Sequence, residues 1–215
     1  RIFSIGKTKT VTALKGISVE VNKGETVVLL GKNGAGKTTL LKSIGGHLKP
    51  TEGHIETNGR VFSLKGANPG MIPSLTGREN VRLLSQIYGV PLEEIDTFVD
   101  EVEEFCELGE AFDRKLKTLS SGMSGRIGFG FTTSLKPDIL LMDETLGVGD
   151  EYFRKKAEKK AIEFMKRGET IVLSTHSLNL AKKMCQRGIV LDEGKIVFDG
   201  TSEGAVKFYL DLINE

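Results

Sequence analysis

Two stretches of this chain carry residue types suited to phosphate and metal chemistry. The first spans residues 31–38, whose letters GKNGAGKT fit the pattern G-x-x-x-x-G-K-[ST]. Glycines let successive backbone N–H groups turn inward around a phosphate, and the following helix N-terminus adds its positive dipole end. In such a loop Lys37 reaches the β- and γ-phosphates and the Thr38 hydroxyl binds Mg²⁺. The candidate nucleotide-binding residues here are Gly31, Lys32, Asn33, Gly34, Ala35, Gly36, Lys37, Thr38 and Thr39.

The second stretch is Asp143-Glu144, directly after the apolar run at residues 139–142. Such a run predicts a buried parallel strand, and the carboxyl ends of these strands are where α/β proteins bind ligands. We expect Asp143 to hold Mg²⁺, directly or through water, and Glu144 to orient and deprotonate an attacking water. The alternatives are a glycine-rich turn that matches by chance and an ordinary polar loop after a strand. The presence of both motifs in one chain favours the nucleotide site.

The elements that must position these residues alternate between strand and helix. Apolar runs and apolar–polar alternation predict strands at residues 17–21, 27–30, 139–142 and 171–174, shorter pieces between 49 and 64, and a hairpin of 189–191 and 196–198 across Glu193-Gly194. Helices are predicted at about 39–45, 76–88, 91–107, 120–136, 151–166, 178–185 and from 202 onward. Parallel strands alternating with helices predict an α/β core. The all-helical block at about 73–136 interrupts it, so we expect a core of 1–72 and 137–215 with an inserted subdomain.

Composition excludes several classes of protein. Thirty Lys and Arg residues against 29 Asp and Glu leave a net charge of +1, so no global field attracts nucleic acid or an anionic membrane. A hydrophobic content of 39% excludes a disordered chain, and no apolar run approaches the ~20 residues that span a bilayer. Cys106 and Cys185 lie far apart and outside any C-x-x-C, which argues against a disulfide framework and fits a reducing compartment. The chain begins at Arg1, which leaves open a preceding segment.

Taken in order, the motifs resemble those of the ATP-binding cassette (ABC) ATPases. The segment Leu119-Ser120-Ser121-Gly122-Met123 is similar to that family's signature motif, LSGGQ, and precedes a predicted helix. Asp150 matches the family's D-loop aspartate. His176 matches the family's switch histidine, which contacts the γ-phosphate, and Phe3 matches an aromatic residue that stacks on adenine. The resemblance implies a P-loop NTPase core, mostly a parallel sheet with flanking helices, with an antiparallel β-subdomain and a helical signature subdomain. Taken singly, each of these residues has a structural alternative. His176 could be a structural histidine, Ser120 could be a helix cap and Phe3 could be a core residue.

Within the family, the chain looks like the ATPases of polysaccharide exporters of the capsule, O-antigen and teichoic-acid types. The phrase Leu75-Thr76-Gly77-Arg78-Glu79-Asn80 and the segment Val148-Gly149-Asp150 carry this resemblance. The wider family has a Q-loop glutamine about eight residues before the first phrase, and here residues 65–70 contain none. Asn68 is one candidate replacement. Met123 likewise stands where the wider signature has glutamine.

The resemblance implies a mechanism in which two cassettes sandwich two ATP molecules head to tail. Ser120 and the Gly122 N–H of one copy would then contact the γ-phosphate held by Lys37 of the other. The implied function is an ATP hydrolase, dependent on Mg²⁺ and with Glu144 and His176 catalytic, that drives export of a lipid-linked polysaccharide. It would lie at the cytoplasmic face of the inner membrane, touching the membrane only through a separate polytopic permease present in two copies.

Two other functions stay open at this point. One is the ATPase subunit of another ABC transporter class, for a drug, lipid or ion. The other is a DNA-repair-type ATPase, whose phosphate loop and signature are separated by long coiled coils. No sustained heptads lie between Thr38 and Ser120 and no basic stripe is evident, so we expect no nucleic-acid partner.

Overall fold

Six strands form one sheet in the part of the chain that the structure describes. The structure is a computed structural model, and it describes residues 11–65, 70–135, 137–143 and 151–214. The strands are β1 Thr26–Leu30, β2 Val61–Lys65, β3 Ile139–Asp143, β4 Thr170–Ser174, β5 Arg187–Asp192 and β6 Lys195–Thr201. Their order is β2-β3-β4-β1-β5-β6, and every neighbouring pair is parallel except β5 and β6. The predicted α/β fold with a mostly parallel sheet is confirmed.

Helices cover both faces of the sheet, which is why its central strands are continuous apolar runs. The helices are α1 Lys37–Ile44, α2 Gly77–Ile87, α3 Ile95–Cys106, α4 Ser121–Ser134, α5 Glu151–Lys166, α6 Leu178–Met184 and α7 Ser202–Asn214. Every residue of β1 and β4 is buried. The sheet face bearing Leu29 packs with Leu40 and Leu41 of α1, and the opposite face, bearing Leu30, packs with α4, α6 and α7. Alternate strand side chains thus supply two separate cores.

The helical stretch between β2 and β3 begins and ends close to the predicted limits. Thr76 caps α2 through a capping box, in which its hydroxyl accepts a hydrogen bond from the Glu79 N–H and the Glu79 carboxylate accepts one from the Thr76 N–H. Pro91 precedes a 3-10 turn at Leu92–Glu94, and α3 starts only at Ile95. Two further 3-10 turns, Gly109–Asp113 and Leu116–Thr118, connect α3 to α4.

Two predictions of local structure differ from the described part of the structure. The segment at residues 17–21 is not a strand in the described part and pairs with none of the described residues, although Ile17, Val19 and Val21 do pack on the α1-side core. Alternation shows which side chains face the core, but a strand also requires a partner at hydrogen-bond distance. Of the predicted strand pieces between 49 and 64, only β2 forms; residues 49–60 are exposed and are not in a strand. The sheet is mixed, as predicted: among the named strands of the described part, β5 and β6 pair antiparallel at one edge.

No helix within the described ranges combines the length and the apolar character needed to cross a lipid bilayer.

Candidate functional site

The phosphate loop joins the fully buried β1 to α1, and its glycines occupy positions that a larger residue could not. A Cβ on Gly31 would lie 2.3 Å from the Leu191 carbonyl oxygen of the adjacent strand β5. Gly36, the residue before α1, has a φ of +108°, and a Cβ there would lie 2.8 Å from Leu14 Cδ2. The loop can therefore follow this close path only because glycine has no side chain and tolerates positive φ.

The Lys37 side chain folds back onto the first residues of this loop. Its ammonium donates to the Gly31 carbonyl oxygen at 2.6 Å and to the Lys32 carbonyl oxygen at 3.1 Å, and the residue is only 8% exposed. The first N–H groups of an α-helix have no carbonyl partner within the helix. Gly36 provides no side-chain cap and the first turn of α1 has no acidic residue. A buried cation and uncapped helix N–H groups together make a site for an anion.

A tight turn of the β5–β6 hairpin supports the loop from one side. Glu193 and Gly194 both have positive φ, +44° and +81°, as a two-residue hairpin turn with the twist of its strands requires. The Gly194 N–H donates to the Ala35 carbonyl oxygen at 3.0 Å, and the Gly194 carbonyl oxygen accepts from the Lys15 N–H at 2.7 Å. The turn therefore holds the phosphate loop and the preceding segment together. The turn is predictable from Glu193-Gly194, but this contact is not, because only the tertiary structure brings residues 35 and 194 together.

The acidic motif lies at the same edge of the sheet as the phosphate loop. Asp143 is the last residue of β3 and is partly buried, and it pairs in register with Ser174 at the end of β4. Ser174 pairs in turn with Leu29 on β1, two residues before Gly31. Strand β4 thus lies between the strand that leads into the phosphate loop and the strand that carries the acidic residue. Thr38, in the first turn of α1, is exposed.

Ser174 was not singled out as a functional residue from the sequence, yet it occupies the centre of this edge. It is fully buried, and its hydroxyl oxygen has no hydrogen-bond partner among the residues that the structure describes. The signal in the sequence is a polar residue closing an apolar strand. The side chains of Thr38, Asp143 and Ser174 place oxygen atoms at this end of the sheet. This fits the preference of Mg²⁺ for oxygen ligands and ordered water.

His176 follows two residues after the end of β4, at the same edge, and is exposed. The turn that presents it is fixed on its carboxyl side, where the Thr175 hydroxyl accepts from the Ser177 N–H at 3.1 Å. The Ser177 hydroxyl caps α6 by accepting from the Leu180 N–H. The strand end and the capped helix therefore hold His176 on the side of the sheet where Asp143 and the phosphate loop lie.

The predicted signature segment forms the N-terminus of α4. Ser120 is the N-cap, and its hydroxyl oxygen accepts a hydrogen bond from the Met123 N–H at 3.2 Å. Ser120 is exposed and Gly122 lies in the first turn. The preceding 3-10 turn is held to the residues just before α2, because the Leu116 N–H donates to the Leu75 carbonyl oxygen. The Ser120 hydroxyl still carries its own hydrogen, which can be donated to a ligand.

The two helix N-termini lie on opposite sides of the sheet. Helix α1 packs on the core that contains Leu29 and Leu141, whereas α4 packs on the core that contains Leu30 and Met142. Within one copy, no recorded contact among the described residues joins Ser120 or Gly122 to Lys37. Phe3, Asn68, Glu144 and Asp150 lie outside the described residues.

A second cluster of charges stabilises the opposite edge of the sheet. Arg187, at the start of β5, donates to both carboxylate oxygens of Asp199, at 2.6 and 2.7 Å, and to Glu25 at 3.1 Å. Hydrogen bonds from Arg187 hold the pKa of Asp199 below its usual value. The pKa of Glu25 is also lowered: burial alone would raise it, but hydrogen bonds from Asn22 and Arg187 outweigh that effect. This cluster joins β1, β5 and β6 where β1 begins, away from the phosphate loop.

Both cysteines are buried away from the candidate site. Burial raises the pKa of Cys106 and of Cys185 to about 12. Cys106, the last residue of α3, packs against α4, where its thiol donates to the Arg126 carbonyl oxygen at 3.3 Å. These thiols behave as apolar core groups rather than as nucleophiles.

Several known proteins are similar to this chain over nearly its whole length. The chain is 42% identical over 204 residues to an O-antigen export system ATP-binding protein of Myxococcus xanthus, covering 95% of this chain and 47% of that protein. It is 38% identical over 209 residues to the same kind of protein from Klebsiella pneumoniae, covering 97% and 85%. A teichoic acids export ATP-binding protein of Lactococcus lactis is 42% identical over 197 residues, covering 92% and 42%. The chain thus spans about half the length of the first and third of these relatives.

A solved structure and a family model also match this chain. A solved dimeric ATP-binding cassette in a post-hydrolysis state, bound to ADP and Pi, superposes with a TM-score of 0.78 at 26% identity, covering 93% of this chain and 94% of that one. The family model described as ABC transporter matches residues 14–147, which include the phosphate loop, Ser120 and Asp143. With more than half of its length in that match, the chain belongs to the ABC transporter family as a nucleotide-binding ATPase cassette.

Proposed function

We propose that this chain is the ATP-hydrolysing subunit of an exporter that moves a lipid-linked polysaccharide, of O-antigen, capsule or teichoic-acid type, across the cytoplasmic membrane. The observation that carries the proposal is the phosphate loop, in which the buried Lys37 ammonium lies against the loop backbone and the N-terminus of α1 has no side-chain cap. The polysaccharide part rests on the relatives, which are named as O-antigen and teichoic acid export proteins. The proposed location is peripheral, at the cytoplasmic face of the membrane.

In the proposed mechanism, residues 31–39 bind the β- and γ-phosphates of ATP. The backbone N–H groups of the loop and the Lys37 ammonium stabilise the charge that develops on the transferred phosphoryl group. Glu144 takes a proton from the attacking water, and His176 contacts the γ-phosphate from the end of β4. Phe3 stacks on the adenine ring. These four side-chain roles follow the family resemblance and the place of each residue in the chain.

Magnesium completes the proposed site, held by the Thr38 hydroxyl and the Asp143 carboxylate. Mg²⁺ ordinarily keeps several waters and takes one or two protein oxygens plus the oxygens of a nucleotide, which matches a threonine and an aspartate at this edge. When bound, it neutralises charge on the β- and γ-phosphates. The chain's own residues then orient the nucleotide and exclude bulk water.

Two copies of the chain would pair head to tail with two ATP molecules between them. Support comes from the positions of the two helix N-termini, since α1 and α4 cover opposite faces of the sheet. Ser120 is exposed at the start of α4, so its O–H and the Gly122 N–H are placed to reach a phosphate held by another copy. Asp150 would line the same interface. Hydrolysis would remove the γ-phosphate and let the copies separate.

The separation would be passed to a membrane permease through the block at about 73–136, acting as a subdomain on the core of 1–72 and 137–215. Helices α2, α3 and α4 pack on one another around Phe98, Phe129 and Phe131, which favours movement as a unit. The permease would be a separate polytopic protein in two copies.

Nucleotide chemistry is tested with the purified chain. We expect Lys37→Ala to lose ATP affinity, because the loop loses its buried cation, while Lys49→Ala, which removes an exposed lysine, leaves affinity unchanged. Glu144→Gln should bind ATP, hydrolyse it poorly and accumulate as an ATP-bound dimer in size-exclusion chromatography. Full hydrolysis by Glu144→Gln would contradict its role as the base, and unchanged affinity in Lys37→Ala would contradict the phosphate site.

Export is tested in the source bacterium by deleting the gene and measuring surface polysaccharide on intact cells. We expect the polymer to accumulate inside the cell and to return to the surface with the wild-type gene but not with Glu144→Gln. A polytopic membrane protein should co-purify with the chain. Unaltered surface polysaccharide after deletion would contradict this function even if the chain hydrolyses ATP.

A further inference from the structure

One buried hydroxyl at the candidate site has no partner within the described part of the chain. Ser174 is 0% exposed, and its Oγ atom makes no hydrogen bond there. A buried hydroxyl without a partner destabilises a folded protein, because the hydrogen bonds that water gave it in the unfolded chain are not replaced. Other buried hydroxyls in this fold are satisfied: Ser85 Oγ, for example, donates to the Val81 carbonyl oxygen at 2.6 Å. The exception at Ser174 therefore points to a ligand.

The sheet places the Ser174 side chain on the same face as that of Asp143. Leu141 and Val172 both belong to the core that packs against α1. Side chains two residues apart on a strand point to the same side, so Asp143 and Ser174, each two residues further along, face α1 as well. The two residues are also in register on adjacent strands. Their Cα atoms consequently lie about 5 Å apart.

Ser174 also lies beside both elements that carry the residues proposed to hold magnesium. Strand β4 separates β3, which carries Asp143, from β1, which leads to the phosphate loop and Thr38. Helix α1, whose first turn carries Thr38, packs against both β3 and β4 on this face. Because Mg²⁺ ordinarily takes few protein ligands and keeps several waters, a metal held by Thr38 and Asp143 would present water to its surroundings. Ser174 is the β4 residue at this end of the sheet, on the face that α1 covers.

We propose that Ser174 is a positioning residue for the magnesium site, whose hydroxyl oxygen accepts a hydrogen bond from a water bound to Mg²⁺. A metal-bound water directs a lone pair at the metal and offers its hydrogens outward, so the acceptor that Ser174 leaves unused matches it. The hydroxyl would fix which coordination positions water takes and so orient the ion relative to the nucleotide phosphates. This inference rests on the proposed nucleotide function and adds a residue that the family motifs do not contain.

The test compares Ser174→Ala with two matched variants, Ser174→Thr, which keeps the hydroxyl, and Ser85→Ala, which removes a satisfied buried hydroxyl elsewhere. Affinity for a non-hydrolysable ATP analogue is measured by calorimetry, once with Mg²⁺ and once with EDTA. We expect Ser174→Ala to weaken binding about 10- to 100-fold with Mg²⁺ and not with EDTA, as outer-shell substitutions at metal sites do. Ser174→Thr should retain most of the affinity, and Ser85→Ala should match the wild type.

A second readout needs no ligand. Without nucleotide, Ser174→Ala should unfold at a urea concentration no lower than the wild type, because no hydrogen bond is removed, whereas Ser85→Ala should unfold at a lower one.

A third readout uses the complex with the ATP analogue and Mn²⁺ in place of Mg²⁺. The Mn²⁺ electron paramagnetic resonance spectrum of this complex should change in Ser174→Ala and not in Ser85→Ala.

Each other outcome counts against a specific statement. If the wild type binds the analogue equally with Mg²⁺ and EDTA, the magnesium part of the proposed function is wrong. If the wild type depends on Mg²⁺ and Ser174→Ala binds as well as it does, the role of Ser174 is wrong. Equal weakening with and without Mg²⁺ indicates a purely structural effect and also refutes it. Should Ser174→Ala fail to fold, Ser174→Cys, similar in size but a weak hydrogen-bonding group, gives the same comparison.

Discussion

Replacing Gly194 by alanine tests whether the β5–β6 turn holds the phosphate loop in its binding shape. The added Cβ would lie 2.5 Å from the Ala13 carbonyl oxygen and 3.1 Å from the Ala13 carbonyl carbon. Both atoms are backbone, so no change of side-chain rotamer relieves the contact and the chain itself must move. Movement of either segment strains the two hydrogen bonds by which Gly194 joins Ala35 and Lys15.

The expected cost has two parts. An alanine at a φ of +81° costs about 1–2 kcal/mol. The two hydrogen bonds contribute about 0.5–1.5 kcal/mol each, so the free energy of unfolding should fall by about 2–5 kcal/mol in all. Part of that energy maintains the loop, and each 1.4 kcal/mol needed to restore the loop on binding weakens affinity about tenfold. We therefore expect ATP or ADP to bind Gly194→Ala at least about tenfold more weakly.

The matched control is Gly89→Ala. Gly89 has a nearly identical φ of +78°, but a Cβ there meets no atom within 4 Å. This variant should lose only the backbone strain of about 1–2 kcal/mol and should bind nucleotide normally. Urea unfolding followed by circular dichroism gives the stabilities, and calorimetry gives the affinities. Equal losses of stability in the two variants, or normal nucleotide affinity in Gly194→Ala, would refute the supporting role of the turn.

Two further predictions concern charge and thiols away from the site. Because Arg187 holds the pKa of Asp199 below its unfolded value, the pair stabilises the fold above about pH 4 and loses this effect as the pH falls through the depressed pKa. Urea midpoints of Arg187→Met and wild type should thus differ most at pH 7 and converge towards pH 2; a constant gap would contradict the pairing. Cys106 and Cys185, with pKa values raised by burial to about 12, should not react with a thiol reagent at pH 8 until urea unfolds the chain, and fast labelling of the native protein would show that the core opens.

Local patterns predicted most of the elements because each depends on neighbours along the chain. The Thr76 capping box, the helix N-cap at Ser120 and the hairpin turn at Glu193-Gly194 each use hydrogen bonds or φ angles within a few residues. Strands buried on both faces appear as unbroken apolar runs, as in β1 and β4. Residues 17–21 differ, because their alternating side chains pack on the core while no described residue pairs with their backbone as a strand.

By itself, the sequence determined which residues could bind phosphate and metal, since the glycine spacing of residues 31–38 and the carboxylate ending an apolar strand are local features. Only the tertiary structure decided how these features meet. It inserted β4 between the strands of Asp143 and the phosphate loop, and so placed the unpartnered Ser174 hydroxyl at the centre of the site. It also brought Gly194 against Ala35, far away along the chain. Strand order and contacts across the sheet arise from the burial of two apolar faces by the whole chain, which no short segment encodes.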